Sequence, residues 1–404
     1  MHDPHIMATE IEERFGVSRR TFMRAVQAAA VAGGGALAAA AYSSPNANAA
    51  SSVLSGSAGS AGSSTARTRV VLLGTAGGPI LTESSRMGVS TAIVYEDRVY
   101  VVDLGHGSHM NLYKAGLAGA GDANAFSRFR GIFFTHLHSD HTVEWPGVFA
   151  TSVTNTAGGA IGQPIKVFGP GDRTALPLVN PPGAPEPALV NPERPMPGIA
   201  QMTSYIEQAF ATDLNDRIRD NNSFSPSRLF DINEIDISPY WTVDESGIPP
   251  QLPAGTRIPV WEDGEVRVTA TLVDHRPTAP AFAYRFDTPD GSVVVSGDTC
   301  PSPNLIDLAQ GVDYLVHEAI DEQYVERLVA GLPAAFRDGV RNHLLQSHTT
   351  IDQVGRLAQD AGAKNLVLTH LVPATTPDSR WAEARRNFRG NLHVGTDLMS
   401  LGIE

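Results

Sequence analysis

Cysteine is nearly absent from this 404-residue sequence, and lysine is scarce. The single cysteine, Cys300, cannot form an intramolecular disulfide, and its isolation excludes a zinc finger built on several cysteines. Lysine occurs only at positions 114, 166 and 364, and 43 acidic residues outnumber 30 basic ones to give a formal net charge of −13. Such an acidic chain is poorly suited to hold a long polyanion on a general basic surface.

The sequence also lacks an apolar run long enough for a stable membrane span, although its N-terminal segment has a recognisable pattern. The pair Arg19-Arg20 precedes an alanine- and glycine-rich stretch, residues 25–42, and residues 47–49 have the small-x-small pattern of a cleavage site. This arrangement resembles a bacterial twin-arginine export signal. We therefore expect residues 1–49 to be a signal peptide and the mature protein to be periplasmic or extracellular, without a stable membrane anchor.

The rest of the sequence has the composition of a folded protein. Apolar residues make up 42% of the chain and charged residues 18%, which permits a sizeable core and excludes global disorder. Residues 50–66, rich in Ser, Gly and Ala, are expected to form a flexible linker before one domain at residues 67–404. Within it, residues 172–260 carry 12 acidic residues and 6 arginines without a sustained period, which predicts an irregular insertion. Aromatic residues of this insertion could line a substrate pocket or a homodimer contact.

Four potential metal ligands lie within the short segment Thr135–His141, namely His136, His138, Asp140 and His141. They directly follow an apolar, β-prone run, so we expect them on the loop that leaves the C-terminal end of a buried strand. Imidazole and carboxylate together suit Zn²⁺ and neighbouring first-row metals. The four side chains are too close in sequence to bind one ion without strain, which favours two ions a few ångströms apart.

Further histidines and carboxylates follow predicted strands in the second half of the sequence. Each of these groups ends an apolar, strand-like run: Asp274-His275, Asp298, His317-Glu318 and His370. A separate motif, Ser347-His348-Thr349, precedes a predicted helix. Because residues at the same end of successive strands converge on one edge of a sheet, the pattern predicts one polar site.

Together these motifs resemble the metallo-β-lactamase superfamily. Within it, the resemblance is to the branch of the tRNA 3′-processing endonuclease tRNase Z, related phosphodiesterases and arylsulfatase-like hydrolases. The motif at His136–His141 marks the superfamily, while His317-Glu318-Ala319 and Ser347-His348-Thr349 are more specific to the branch. The resemblance spans residues 69–371, and it implies an α/β fold of the four-layer αβ/βα sandwich type, here with an irregular insertion.

The resemblance also implies a site with two divalent metal ions, Zn²⁺ foremost and Mn²⁺ as the alternative. It assigns seven ligands: His136, His138 and His275 to one ion, Asp140, His141 and His370 to the other, and Asp298 to both. The implied catalytic residues are Asp140, His348 and Glu318, with His348 as the proton donor to the leaving oxygen and Glu318 as the group that orients it. A metal-bridged hydroxide would attack the ester.

These implications predict an exported hydrolase of a small-molecule ester, first of all a phosphodiesterase acting on a small phosphodiester such as a nucleotide. The insertion is acidic where tRNase Z carries a basic arm, and export removes the protein from tRNA. We therefore expect no tRNA or long nucleic acid among its partners. An arylsulfatase-like, ester or lactone hydrolase remains the alternative. A non-catalytic metal-binding protein on the same fold would lack a ligand or the acid, and the sequence lacks neither.

Overall fold

The computed structural model describes residues 66–79, 84–119, 124–156, 162–180 and 182–403. The predicted signal peptide and nearly all of the predicted linker lie outside these residues. Within the described ranges, no helix is both long enough and apolar enough to cross a membrane.

The described residues form fourteen β-strands and ten α-helices. The strands are β1 (Thr68–Gly74), β2 (Ser90–Tyr95), β3 (Arg98–Val102), β4 (Phe129–Phe133), β5 (Ile165–Gly169), β6 (Phe230–Glu234), β7 (Ile258–Asp263), β8 (Val266–Leu272), β9 (Phe282–Thr288), β10 (Gly291–Val295), β11 (Tyr314–Ile320), β12 (Asn365–Val372), β13 (Asn391–Val394) and β14 (Ser400–Ile403). The helices are α1 (Ser108–Lys114), α2 (Ser139–Thr142), α3 (Trp145–Asn155), α4 (Ile199–Ala209), α5 (Ala211–Asp220), α6 (Pro303–Leu308), α7 (Glu322–Ala330), α8 (Ala334–Ser347), α9 (Ile351–Asp360) and α10 (Asp378–Trp381).

The strands assemble into two mixed sheets of seven strands each. The first sheet has the order β14-β1-β2-β3-β4-β5-β6, and the second has the order β13-β12-β11-β10-β9-β8-β7. Strands β3 to β6 run parallel, as do β10 to β13, while the remaining neighbours pair antiparallel. Parallel pairing needs long crossover connections, which explains the helices between these strands.

Both faces of each sheet are buried, and strand β1 shows how the sequence achieves this. Because successive side chains on a strand point to opposite faces, Val70 and Leu72 pack between the two sheets while Val71 and Leu73 face outward. Helices α1, α3 and α4 cover the outer face of the first sheet, and α6 and α9 cover that of the second. The predicted four-layer αβ/βα sandwich is confirmed.

The segment predicted as an irregular insertion, residues 172–260, contains α4, α5, β6 and the first residues of β7. Strand β6 extends the first sheet beside β5, and β7 forms the edge of the second sheet beside β8. The buried Arg173 donates hydrogen bonds to the main-chain carbonyl oxygens of Asp244 and Pro277. This segment is thereby attached to the loop that follows β8.

Helices α7 and α8 form a hairpin between β11 and the Ser347-His348-Thr349 motif. The Asp321 carboxylate caps α7 by accepting a hydrogen bond from the Gln323 backbone N–H. Apolar side chains of α7, including Val325 and Leu328, pack on Ile320 in a small core separate from the three larger ones. Since α8 ends at Ser347, the hairpin places His348 at the edge of the second sheet.

Candidate metal centre

The loop after β4 is held by a buried carboxylate, Asp103, that follows β3. Its two oxygens accept hydrogen bonds from the Thr135 backbone N–H and from the Thr135 hydroxyl, both at 2.8 Å. Asp103 is fully enclosed and has a φ of 60°, in the left-handed region that few residues other than glycine adopt. These contacts fix the start of the loop from which the first predicted ligands project.

Three imidazoles, those of His136, His138 and His275, form what we call the first group. The Nε2 atom of His136 lies 3.0 Å from Nδ1 of His138, and Nε2 of His275 lies 3.2 Å from the same atom. Burial lowers the pKa of all three side chains, and the nearby imidazoles lower it further. The first group is therefore a set of neutral imidazoles whose nitrogens converge.

Two carboxylates and two imidazoles, those of Asp140, His141, Asp298 and His370, form the second group. Nε2 of His370 lies 3.2 Å from Oδ2 of Asp140 and 3.3 Å from Oδ2 of Asp298. Nε2 of His141 lies 3.3 Å and 3.6 Å from the Oδ2 atoms of Asp298 and Asp140. Burial opposes ionisation of both carboxyls, but the imidazoles outweigh it and hold both pKa values well below the ordinary range.

The Asp298 carboxylate lies between the two groups. Besides its contacts in the second group, its Oδ2 atom is 3.7 Å from Nε2 of His275 and 3.9 Å from Nε2 of His136. Its Oδ1 atom and the Nε2 atom of His141 are buried without a hydrogen-bond partner among the described residues. A buried carboxylate with an unpaired oxygen is costly, so this arrangement indicates that a cation completes it.

The spacing of the donor atoms matches metal coordination. Tetrahedral ligation at the Zn–N distances found in proteins places ligand atoms about 3.3–3.4 Å apart. Neighbouring donor atoms in the two groups are separated by 3.0–3.6 Å. Three imidazole nitrogens converge in the first group, and a cation placed between them would be bound by all three. Both groups can hold a metal ion, and each consists of ligand types that divalent first-row metals prefer.

The ring nitrogens that face away from the two groups are mostly held by hydrogen bonds. These bonds join His138 Nε2 to Thr278 Oγ1 (2.7 Å), His275 Nδ1 to the Ser347 carbonyl (2.8 Å), His136 Nδ1 to Thr135 Oγ1 (3.1 Å) and His141 Nδ1 to Asp103 Oδ2 (2.8 Å). A partner on the outer nitrogen orients each ring and leaves the inner nitrogen as a ligand.

His348 and Glu318 form a buried pair beside both groups. Nδ1 of His348 lies 3.1 Å from Oε1 of Glu318, which also accepts the backbone N–H groups of Thr299 and Thr349 at 3.1 Å. Burial disfavours the charged imidazole, but the Glu318 carboxylate outweighs burial and raises the pKa of His348 to about 9. His348 is therefore a fixed, protonated side chain whose ring also lies near Asp298.

The glycine-rich turn after β1 approaches the second group from the other side. The Gly78 backbone N–H donates to Oδ2 of Asp140 at 3.0 Å. A Cβ atom at position 77 would lie only 2.5 Å from Nδ1 of His370, so glycine is required there. His370 itself has a φ of 44°, a strained conformation of the kind found at functional sites.

All seven predicted ligands and His348 thus lie around one cavity or directly behind its wall. The cavity has a volume of about 330 Å³, and Asp140, Asp298, His348 and His370 are among the residues that line it. His317, which also ends a strand, lies apart from both groups: it is buried, and its Nδ1 atom bonds the Glu318 carbonyl oxygen.

Comparisons with known proteins show the family of this chain. A ribonuclease Z from Mycobacterium bovis (strain BCG / Pasteur 1173P2) is 30% identical over 333 residues, which cover 81% of this chain and 96% of that relative. The chain belongs to the ribonuclease Z family. Another ribonuclease Z, from Mycobacterium avium (strain 104), is 30% identical over 338 residues and covers 83% of this chain and 98% of its own.

Solved structures show the fold of this ribonuclease Z family member. The short form of human tRNase Z has a TM-score of 0.50 at 18% identity and covers 83% of this chain and 99% of its own. A metallo-β-lactamase fold protein from Bacillus subtilis has the same TM-score at 14% identity, and the match covers 83% of this chain and 98% of that protein. The predicted membership in the metallo-β-lactamase superfamily, on its tRNase Z-like branch, is confirmed. No family model matches the chain.

The prediction that tRNA and long nucleic acids are excluded as partners is wrong. The relatives of this family member are named ribonuclease Z, and one structural neighbour is a tRNase Z, so both names refer to RNA. The prediction rested on the net charge of −13, on the acidic segment at residues 172–260 and on the expected export of the protein. Net charge governs long-range attraction, whereas a phosphate at the site is held by local groups. Overall acidity therefore does not exclude a polyanionic substrate.

Three contributors to the site of this ribonuclease Z family member were not predicted as functional: Asp103, Thr278 and the α7–α8 hairpin. Asp103 ends a predicted strand at the same edge as the ligands, which is the signal that could have identified it. Thr278 has no such signal, because it reaches His138 only through the folded loop after β8.

Replacing Asp103 by asparagine should weaken metal binding without unfolding the protein. Asparagine keeps the size of the side chain, but it removes the negative charge beside Nδ1 of His141, 2.8 Å away. Loss of such an outer partner typically lowers metal affinity about 10- to 100-fold. Titration of the metal-loaded protein with a chelator, followed by metal analysis, measures this. The exposed Asp97→Asn variant is the matched control, and equal retention by both variants would contradict the role given to Asp103.

Proposed function

We propose that this chain is a metal-dependent phosphodiesterase in which the first and second groups each hold a divalent ion, Zn²⁺ foremost. The observation that supports this most directly is the His348–Glu318 pair, which lies beside both groups at one cavity. When bound, two such ions would supply a nucleophile at neutral pH and would neutralise charge on the phosphate oxygens.

The roles of the chain's own residues follow from their contacts. Asp298 keeps the two groups together because its Oδ2 atom faces both. Glu318 fixes the His348 ring through Nδ1, which leaves Nε2 and its proton to face the substrate. As the phosphorus–oxygen bond to the leaving group breaks, His348 gives this proton to the leaving oxygen, which departs as an alcohol.

The cavity favours a phosphate that carries a single negative charge. No lysine or arginine is among the described residues that line it, so beyond the protonated His348 this lining adds no ammonium or guanidinium group for a dianionic phosphate. A phosphodiester is a monoanion, and a volume of about 330 Å³ accommodates the diester and one attached group. A small nucleotide diester and the terminal linkage of an RNA strand both present such a group.

The test compares the hydrolysis of several esters by one metal-loaded sample whose metal content is counted. We expect about two metal ions per chain and faster cleavage of bis-p-nitrophenyl phosphate than of p-nitrophenyl phosphate, p-nitrophenyl sulfate or a simple lactone. A short RNA with an extended 3′ end belongs in the same series. Faster cleavage of the sulfate would replace this proposal by an arylsulfatase-like activity. Two bound metals without hydrolysis of any phosphodiester would refute it.

We also propose that the protein is exported by the twin-arginine route, on the basis of Arg19-Arg20 and the residues that follow them. Cell fractionation of the full chain beside a variant with both arginines changed to lysine tests this. Equal retention of both proteins in the cytoplasm would refute export.

A further inference from the structure

The α7–α8 hairpin supplies one side of the cavity that holds the two groups. Four of its side chains line this cavity: His343, and three that we call the hairpin wall, Tyr324, Leu328 and Leu344. Pro373 and Ala374, which follow β12, line the cavity as well. The cavity is therefore polar around the ligands and, apart from His343, apolar or aromatic along the hairpin, which is the usual division of a small-molecule site.

The hairpin wall is more than a structural support for the hairpin. Tyr324 packs in the small hairpin core, but it keeps 8% of its surface exposed and lines the cavity. A nearly buried aromatic ring that borders an open cavity offers its face or edge to an occupant. Aromatic rings and nucleobases stack on such side chains through burial and dispersion, without a requirement for a particular base.

The position of the hairpin wall indicates which part of a substrate it contacts. Leu344 lies four residues before His348, one helical turn from the point at which α8 ends. The hairpin wall is therefore next to the side chain to which we assign protonation of the leaving oxygen. A group attached to that oxygen would extend into this side of the cavity.

We infer that the hairpin wall binds an aromatic ring, a nucleobase or an aryl group, carried by the leaving alcohol of the phosphodiester. This inference rests on the proposed phosphodiesterase function and specifies its substrate class. It applies equally to a small diester and to the end of an RNA strand, since both can carry a base beside the cleaved linkage.

The experiment uses the metal-loaded protein and uridylyl-uridine, together with two analogues that each lack one base. Product analysis identifies which nucleoside leaves. Removal of the base from the leaving nucleoside should lower kcat/KM about tenfold or more, in line with the contribution of one stacked base. Removal of the other base should have a smaller effect. We call the kcat/KM of the intact dinucleotide divided by that of the analogue without the leaving base the ratio. In Tyr324→Ala this ratio should fall towards one, whereas Tyr324→Phe should keep it.

Two further variants protect this test against a folding defect. Leu344→Ala removes a second part of the hairpin wall and should also reduce the ratio. Leu345→Ala, at the next position of α8, is the matched control: Leu345 packs against the small hairpin core and does not line the cavity, so it should keep the ratio. Metal content is measured for each variant.

Any of three results would overturn the inference: a ratio near one in the wild type, a ratio unchanged in Tyr324→Ala, or a dependence of kcat/KM on the retained base alone. Each of these results would leave the phosphodiesterase proposal intact, because the dinucleotide is still cleaved. Failure to cleave either the dinucleotides or bis-p-nitrophenyl phosphate would instead refute the proposed function.

Discussion

Replacing His348 by alanine should lower kcat about 10²- to 10⁴-fold on phosphodiesters with a poor leaving group, which is the usual contribution of a positioned general acid. His348 lies outside both groups, and Glu318 holds its Nδ1 atom at 3.1 Å. Both metal ions should therefore stay bound in the variant. An alkoxide leaving group depends on the proton, whereas p-nitrophenolate departs readily without it.

The decisive measurement compares the loss of kcat on a substrate with a poor leaving group with the loss on a substrate with a good one. A dinucleotide and bis-p-nitrophenyl phosphate are compared on wild type and His348→Ala, with metal content counted in both. His393, on the edge strand β13, is the control position, and His393→Ala should behave as wild type. Equal losses on both substrates would show that His348 supports the site rather than donating the proton. An undiminished rate on the dinucleotide would remove His348 from the mechanism.

The residues predicted as ligands lie together in the structure because of where they stand on the strands. His136, His275 and Asp298 each follow an apolar run, and the strands β4, β8 and β10 end at the same edge of the sandwich. A short apolar run bounded by polar residues is a strong local signal for a buried strand. The sheet topology then places these strand ends next to one another. Residues far apart in sequence therefore lie close together, although no other sequence pattern marks the contact.

Features that depend on tertiary contacts could not be predicted in the same way. Thr278 bonds His138 across 140 positions of sequence, and the spacing of residues carries no trace of this contact. The segment 322–347 has the amphipathic pattern of helices, and Asp321 is a suitable N-cap, so both helices could have been predicted from the sequence. Their position at the cavity could not have been predicted, because it depends on how the hairpin packs on Ile320.

The error about RNA has a different origin. Besides the expected export, it came from treating the net charge of −13 and the acidic insertion as if they described the site. Around the cavity the relevant charges are local: two carboxylates, surrounded by imidazoles, in groups that can hold metal ions. A chain can therefore be acidic overall and still present a positive site to a phosphate once metal is bound.

Replacing Asp298 by alanine should have the largest effect on the metal centre itself. Its Oδ2 atom lies within 3.3–3.9 Å of one nitrogen on each of His136, His141, His275 and His370. Without this carboxylate, the two groups share no ligand, and the ions that they would hold lose a shared negative charge. We expect loss of at least one metal ion and a fall in activity larger than the roughly 100-fold associated with an outer-partner substitution.

Metal analysis and thermal unfolding distinguish a loss of metal binding in Asp298→Ala from a general folding defect. A ligand that binds only the folded state raises Tm, so chelation should lower the Tm of the wild type and change that of Asp298→Ala much less. Asp274→Asn is the control: Asp274 pairs with Arg276 and belongs to neither group, so this variant should keep both metals. Two tightly bound ions in Asp298→Ala would show that the groups bind metal independently, and the bridging role of Asp298 would then be wrong.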